Sequence, residues 1–291
     1  MLKEWTLVAF TIAGQTAVGV FVVFHLPFLF RGRLPGSGWR LTWIFTLAIV
    51  VLITALAAFA SFFHLHHPLR ARYALSNLRT SWLSREILFE LSFGAFVALE
   101  AWLAYVRPAS RGTLWPVIVA AGLAGALFIV SMARLYMLPA LPAWSGAYTP
   151  LSFLLTTLVL GAVGTEVIVR EFAGPGAFDL DLTATALLLV AAEILMALFL
   201  APRHGLRGVS PGPSLRPNGA APGPFHLARV ALLALGAACL AWDLATDGND
   251  IMNERGLGPA LLLALAFTLA GEVAGRLHFY GLVPRPGERP S

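Results

Sequence analysis

The sequence predicts an all-α integral membrane protein, a bundle of about eight transmembrane helices with both termini on the same side. Three observations carry that prediction. The 291 residues are 58% hydrophobic and only 12% charged, about half the ~25% charge of a soluble domain. The apolar residues fall in runs of about 20, the length a helix needs to cross a bilayer. No segments of ~10 alternating residues are visible, so a membrane barrel is excluded, and helices are the remaining way to pair every backbone group in lipid.

The elements follow in order, as one polytopic transmembrane domain over residues 1–291. Trp5–Phe30 is too long for the apolar core of a signal peptide and has no convincing cleavage site, so it reads as a retained first span. "RGRLPGSG" breaks the chain before the second span, Leu41–Phe63. A His/Arg-rich stretch leads to the third, Ser84–Tyr105, and "RPASRG" to the fourth, Leu114–Leu138. "LPALPAW" precedes the fifth, Tyr148–Arg170, and "FAGPGA" the sixth, Leu182–Ala201. A long Pro/Gly-rich loop leads to Phe225–Trp242, and the last span is Gly258–Tyr280. No sequence repeat stands out.

Charge and cysteine content exclude several classes of function. The net charge of +5 and pI near 10.0 come from loop arginines, which set membrane orientation and do not argue for nucleic acid. Most arginines fall on the face that carries the termini, but over longer loops, so the charge count leaves orientation open. The single cysteine, Cys239, rules out an intrachain disulfide and an iron–sulfur cluster ligated by this chain alone.

Charges inside spans are expensive in lipid and are functional candidates by default. Glu86, Glu90 and Glu100 share a stripe of the third span: at ~100° per residue, Glu90 lies about 40° to one side of Glu86 and Glu100 about 40° to the other. His64 closes the second span, and Glu86 returns to the membrane at the same level. Such a pair can accept protons, because a neutral imidazole takes one near neutral pH. It suits oxidation of a hydroquinone, which sheds two protons with two electrons. His66 and His67 read as solvated loop residues. Haem is the competing use of membrane histidines, but His25, His226 and His278 offer no facing pair at mid-membrane. In the last span Glu272 and Arg276 are four apart and predict a structural ion pair. Gly271 and Gly275 permit close helix contact. Gln15 is polar in the middle of the first span, and Arg134 has no local acid.

"FTIAGQTAVGVFVV", "HLHHPLRARYALSNLRTSWLSREI", "RLYMLPALPAW" and "AGEVAGRLHFYGL", in that order along the whole chain, resemble the membrane-anchor subunit of dimethyl sulfoxide reductase, the DmsC family. The resemblance implies an eight-helix anchor without haem or iron–sulfur cluster of its own. It implies menaquinol as bound substrate, a four-cluster iron–sulfur subunit as electron acceptor, and a molybdenum–pterin catalytic subunit beyond it. It also implies the bacterial cytoplasmic membrane, with the partners on its outer side. By that likeness His64 matches the family's quinol-site histidine in "HLxxP", and Glu86 the glutamate in "LSxEI". Arg70 matches in "PLRA". Gln15, Arg134 and Tyr136 are further candidates for the quinol site. The additional His66 and His67 depart from the pattern and leave open which group is the main proton acceptor.

Other readings use the same residues. The fold could run backwards, reducing quinone for a dehydrogenase partner. It could tether a partner without binding quinone. A secondary transporter would show broken helices or repeats around a midplane site, and the sequence shows neither clearly.

Overall fold

The computed structural model describes residues 2–31, 39–64, 75–106, 111–137, 144, 146–173, 181–200, 223–247 and 257–281. Among them are eight long helices and no strand: α1 (Leu2–Arg31), α2 (Arg40–His64), α3 (Trp82–Val106), α4 (Arg111–Tyr136), α5 (Tyr148–Phe172), α6 (Leu182–Phe199), α7 (Pro224–Asp247) and α8 (Pro259–Gly281). All eight are long and apolar enough to cross a membrane. The shortest, α6, has 18 residues, or about 27 Å at 1.5 Å per residue, which just matches a ~30 Å hydrocarbon layer. Its start is fixed by Asp181, whose carboxylate accepts from the Ala184 N–H at 2.9 Å, as an N-cap should.

The expected spans coincide with these helices to within a few residues, with one instructive exception. The seventh was expected to stop at Trp242, before the acid of "AWDLATD", yet α7 runs on to Asp247. Asp243 is buried there because Arg170 at the end of α5 meets its Oδ2 at 2.7 Å. Arg170, which closes the expected fifth span, also pairs with Glu166 at 2.6 Å and donates to Thr183 at 2.9 Å. A charge ends a span only when no partner waits inside.

Helices α1 to α4 pack as one ring, each against the next and α4 back on α1; α5 to α8 repeat the same adjacency. The first ring closes on Phe21, Phe24, Leu47, Phe93 and Phe128. The second closes on Val159, Val163, Val190, Leu233 and Leu240. The halves meet along α1 and α5, the two most buried spans. Their backbones touch at Gly19 and Gly161: a Cβ on Gly19 would lie 2.9 Å from the Gly161 Cα and deep inside the Thr157 carbonyl oxygen. Small residues at a seam let helices approach in lipid, where burial of apolar surface supplies no drive. Gly271 and Gly275 do the same for α8 against Leu233 and Arg229 of α7.

The outside is apolar. Leu52, Phe59, Leu91, Trp102, Leu123, Leu188 and Trp242 are exposed, whereas Gln15, Glu86, Glu90, Glu100, Glu193, Arg229, Asp243, Glu272 and Arg276 are buried. Polar groups inside and apolar groups outside is what lipid demands. It also means that each buried charge requires an account.

Candidate functional site

Two ends of the bundle can be told apart by contacts. At one, α1 begins while α4 and α8 finish: the Tyr280 hydroxyl donates to Thr11 Oγ1 at 3.4 Å and lies 3.1 Å from the Tyr136 hydroxyl. At the other, α1 and α3 finish while α2 begins. There the buried His25 places Nε2 2.9 Å from Glu100 Oε1, Trp43 Nε1 donates to the same oxygen at 2.9 Å, and His25 Nδ1 lies 2.7 Å from the Phe21 carbonyl. Arg40 closes this end by donating to the Ala104 and Tyr105 carbonyls. Glu100 thus serves three helices as a structural acceptor.

A second polar group lies about two turns below Tyr280. Arg229 donates to Tyr148 at 2.9 Å and to Glu193, with Glu272 at 3.5 Å. Thr156 donates to Glu272 at 2.7 Å. The expected Glu272–Arg276 pair is corrected here. Glu272 takes its cation from α7, while Arg276 donates to Gln15 Oε1 at 2.8 Å and to Thr156 at 3.4 Å. Arg276 also lies 3.7 Å over the Phe153 ring. The reason is geometric: α7 presses on α8 at Gly275, so the Glu272 face meets Arg229 before it meets its own helix neighbour. Each amide atom of Gln15 holds one bond, since its Nε2 donates to the Phe153 carbonyl at 2.7 Å. It ties the two rings together.

Glu86, Tyr136 and Arg134, three of the expected quinol-site residues, lie toward the Tyr280 end. Glu86 is 1% exposed, and its Oε1 has no hydrogen-bond partner among the described residues. It acts electrostatically on Tyr136 and Tyr280. Tyr136 is walled by the rings of Trp144, Phe153, Phe279 and Tyr280, all with centroids within 5.8 Å. Arg134 is exposed, 5.4 Å over the Trp82 ring, and stays at the rim.

His64 ends α2. Its side chain lies outside the described residues, as do His66, His67 and Arg70. Its level can still be placed from the backbone. Thr54 of α2 meets Gly94 of α3; from that contact His64 is about 15 Å and Glu86 about 12 Å along antiparallel axes at ~1.5 Å per residue. The two positions therefore share one level to within about 3 Å.

Glu193, Arg229, Tyr280 and Trp43 were not singled out from the sequence. Glu193 and Arg229 had a signal, since each is a lone charge in an apolar run. Tyr280 and Trp43 had none, because aromatic residues are common in any span. His226 and His278, which offered no pair in the sequence, have rings 5.3 Å apart where α7 begins and α8 ends.

The sequence has relatives among known proteins. A family model described as "DMSO reductase anchor subunit (DmsC)" matches residues 1–282. The sequence is 31% identical over 287 residues to the anaerobic dimethyl sulfoxide reductase protein YnfH of Escherichia coli (strain K12), covering 96% of this chain and 94% of the relative. It is 31% identical over 288 residues to the C subunit of the anaerobic dimethyl sulfoxide reductase of the same strain, with the same coverage. The corresponding C subunit of Haemophilus influenzae is 29% identical over 294 residues, covering 97% and 95%. No solved structure matches the sequence. With eight membrane-length helices and a family match along nearly all their length, this protein belongs to the DmsC family of DMSO reductase anchor subunits.

Proposed function

We propose that the protein anchors a molybdenum–pterin reductase to the bacterial cytoplasmic membrane, oxidises menaquinol at its Tyr136 end and hands the electrons to a four-cluster iron–sulfur subunit. The observation that carries the quinol assignment is Glu86: a buried carboxylate whose Oε1 has no partner among the described residues, level with the end of α2 and acting electrostatically on Tyr136 and Tyr280. A buried acid that no described residue satisfies is costly for a purely structural anchor. It is useful to a protein that must take protons from a lipid-soluble reductant. A quinol loses two protons and two electrons; Glu86 and His64 are the proton acceptors, and the electrons leave to the partner. In this reading the Tyr136 phenol orients a quinol oxygen by hydrogen bonding, and Arg134 at the rim meets the aqueous side. Partners dock on this same end, through the loops 65–83, 139–147 and 203–224, on the outer side of the membrane. Arginines there steer an acidic surface and fix its register.

Two measurements test this reading. Reporter fusions at Leu2 and Ser291 are expected on one side of the membrane; opposite sides would contradict the crossing number. His64→Ala and Glu86→Gln are expected to leave the complex assembled and still able to reduce its terminal substrate from an artificial donor. Quinol-linked turnover should fall about 100-fold or more, in the range lost with a proton-transfer group. Wild-type quinol oxidation in both variants sinks the assignment.

A further inference from the structure

Helix α3 carries two buried carboxylates one turn apart, and only one of them has been used so far. Glu90 is 3% exposed, and its Oε1, like that of Glu86, has no hydrogen-bond partner among the described residues. The two acids act on each other electrostatically. Other buried acids of the bundle have evident reasons to be there. Glu100 accepts from His25 and Trp43. Glu193 and Glu272 face Arg229. Asp243 faces Arg170. No ion pair or hydrogen bond among the described residues accounts for Glu90 in this way. Like charges four apart weaken a helix, and a glutamine or leucine would fill the same space without that cost.

The chemistry of the site supplies a use. Each quinol gives up two O–H protons at nearly the same place, while its two electrons depart to the partner's clusters. Glu86 and His64 take one each, and a buried Glu86 stays spent until its proton moves on. Glu90 lies about 6 Å deeper along α3 at ~1.5 Å per residue, on the same helix face, within reach of an exchange with Glu86 directly or through one water.

We propose that Glu90 is a proton-relay residue of the quinol site, resetting Glu86 as a base after each quinol. This rests on the quinol reading above. In the first step a quinol O–H breaks, its proton forms an O–H on Glu86, and one electron leaves to the partner. In the second step the remaining quinol O–H gives its proton to His64, the second electron leaves, and quinone remains. Glu86 then passes its proton to Glu90 and becomes a base again for the next quinol. Glu90 and His64 return their protons to water. Glu90 does not touch the quinol; it acts through Glu86.

The test uses the whole complex in membranes, a short-tailed naphthoquinol as donor, and the variants Glu90→Gln, Glu90→Asp and Glu86→Gln. Glu90→Gln keeps the shape and removes the base. It is expected to assemble, to bind the naphthoquinol with unchanged KM, to accept electrons normally from a viologen, and to lose about 10- to 100-fold in kcat. Glu90→Asp should recover most of that loss. Wild-type kcat in Glu90→Gln, with turnover lost in Glu86→Gln, overturns the relay and leaves the quinol reading intact. Failed assembly or weakened binding in Glu90→Gln, with no recovery in Glu90→Asp, makes Glu90 structural and also overturns it. Wild-type kcat in both glutamine variants removes the quinol reading from α3 altogether.

Discussion

Gly19→Val should leave almost no folded protein in the membrane. The substitution adds its first carbon where the Thr157 carbonyl already is, 2.9 Å from the Gly161 Cα. Those are backbone atoms of α5, so no change of rotamer relieves the overlap. Overpacking among side chains typically costs about 1–3 kcal/mol; here the two most buried helices must separate, and their separation strains the Gln15–Phe153 and Gln15–Arg276 hydrogen bonds. Gly19→Ala should show the same defect in milder form, as a lower midpoint for loss of the monodisperse peak on heating in detergent. Gly122 is the control, since nothing lies within 4 Å of a Cβ built there. Gly122→Ala should match the wild type. If Gly19→Val is as stable as Gly122→Ala, α1 and α5 do not form the seam.

Arg229→Leu should be nearly as damaging, for an electrostatic reason. Arg229 is the cation shared by Glu193 and Glu272 and the donor to Tyr148. Removing one partner of a buried pair costs about 3–5 kcal/mol, because the remaining charge keeps its desolvation penalty. Here two carboxylates are left. Arg229→Lys should rescue only in part, since a single ammonium cannot reproduce the planar fork that serves Tyr148 and Glu193 together. The double variant Arg229→Leu with Glu193→Leu should recover much of the loss, and thermal unfolding of the four proteins of that cycle measures the coupling. Arg134→Ala, at an exposed site over Trp82, should cost less than about 1 kcal/mol. Equal effects from Arg229→Leu and Arg134→Ala would deny the buried cluster its role.

Helix positions were legible because each span is a long apolar run bounded by Pro, Gly or charge, and lipid permits little else. What failed was the meaning of single charges. The seventh span, read as ending at Trp242, runs past Asp243 in the protein, where Arg170 of α5 meets that acid. Glu272 and Arg276 were matched by local spacing, yet a residue from α7 took the acid and one from α1 took the base. Local periodicity cannot register a partner from another helix. The same limit hid the contrast between Glu90 and Glu100, which share a stripe in the sequence. Only the neighbouring helices show that His25 and Trp43 satisfy one of them. The arrangement of eight helices as two like rings was invisible, because the repetition lies in packing order and not in residue identity.

The seam at Gln15 bears on how the protein is made. Its amide belongs to α1, while its partners lie 138 and 261 residues further on. Until those residues have been made, the amide lacks both of the bonds it has in the folded bundle. The first of them awaits α5 and the second α8. The bond to Arg276 thus ties the polar seam of α1 to the last helix of the bundle, and that seam is complete only where α1, α5 and α8 are all present.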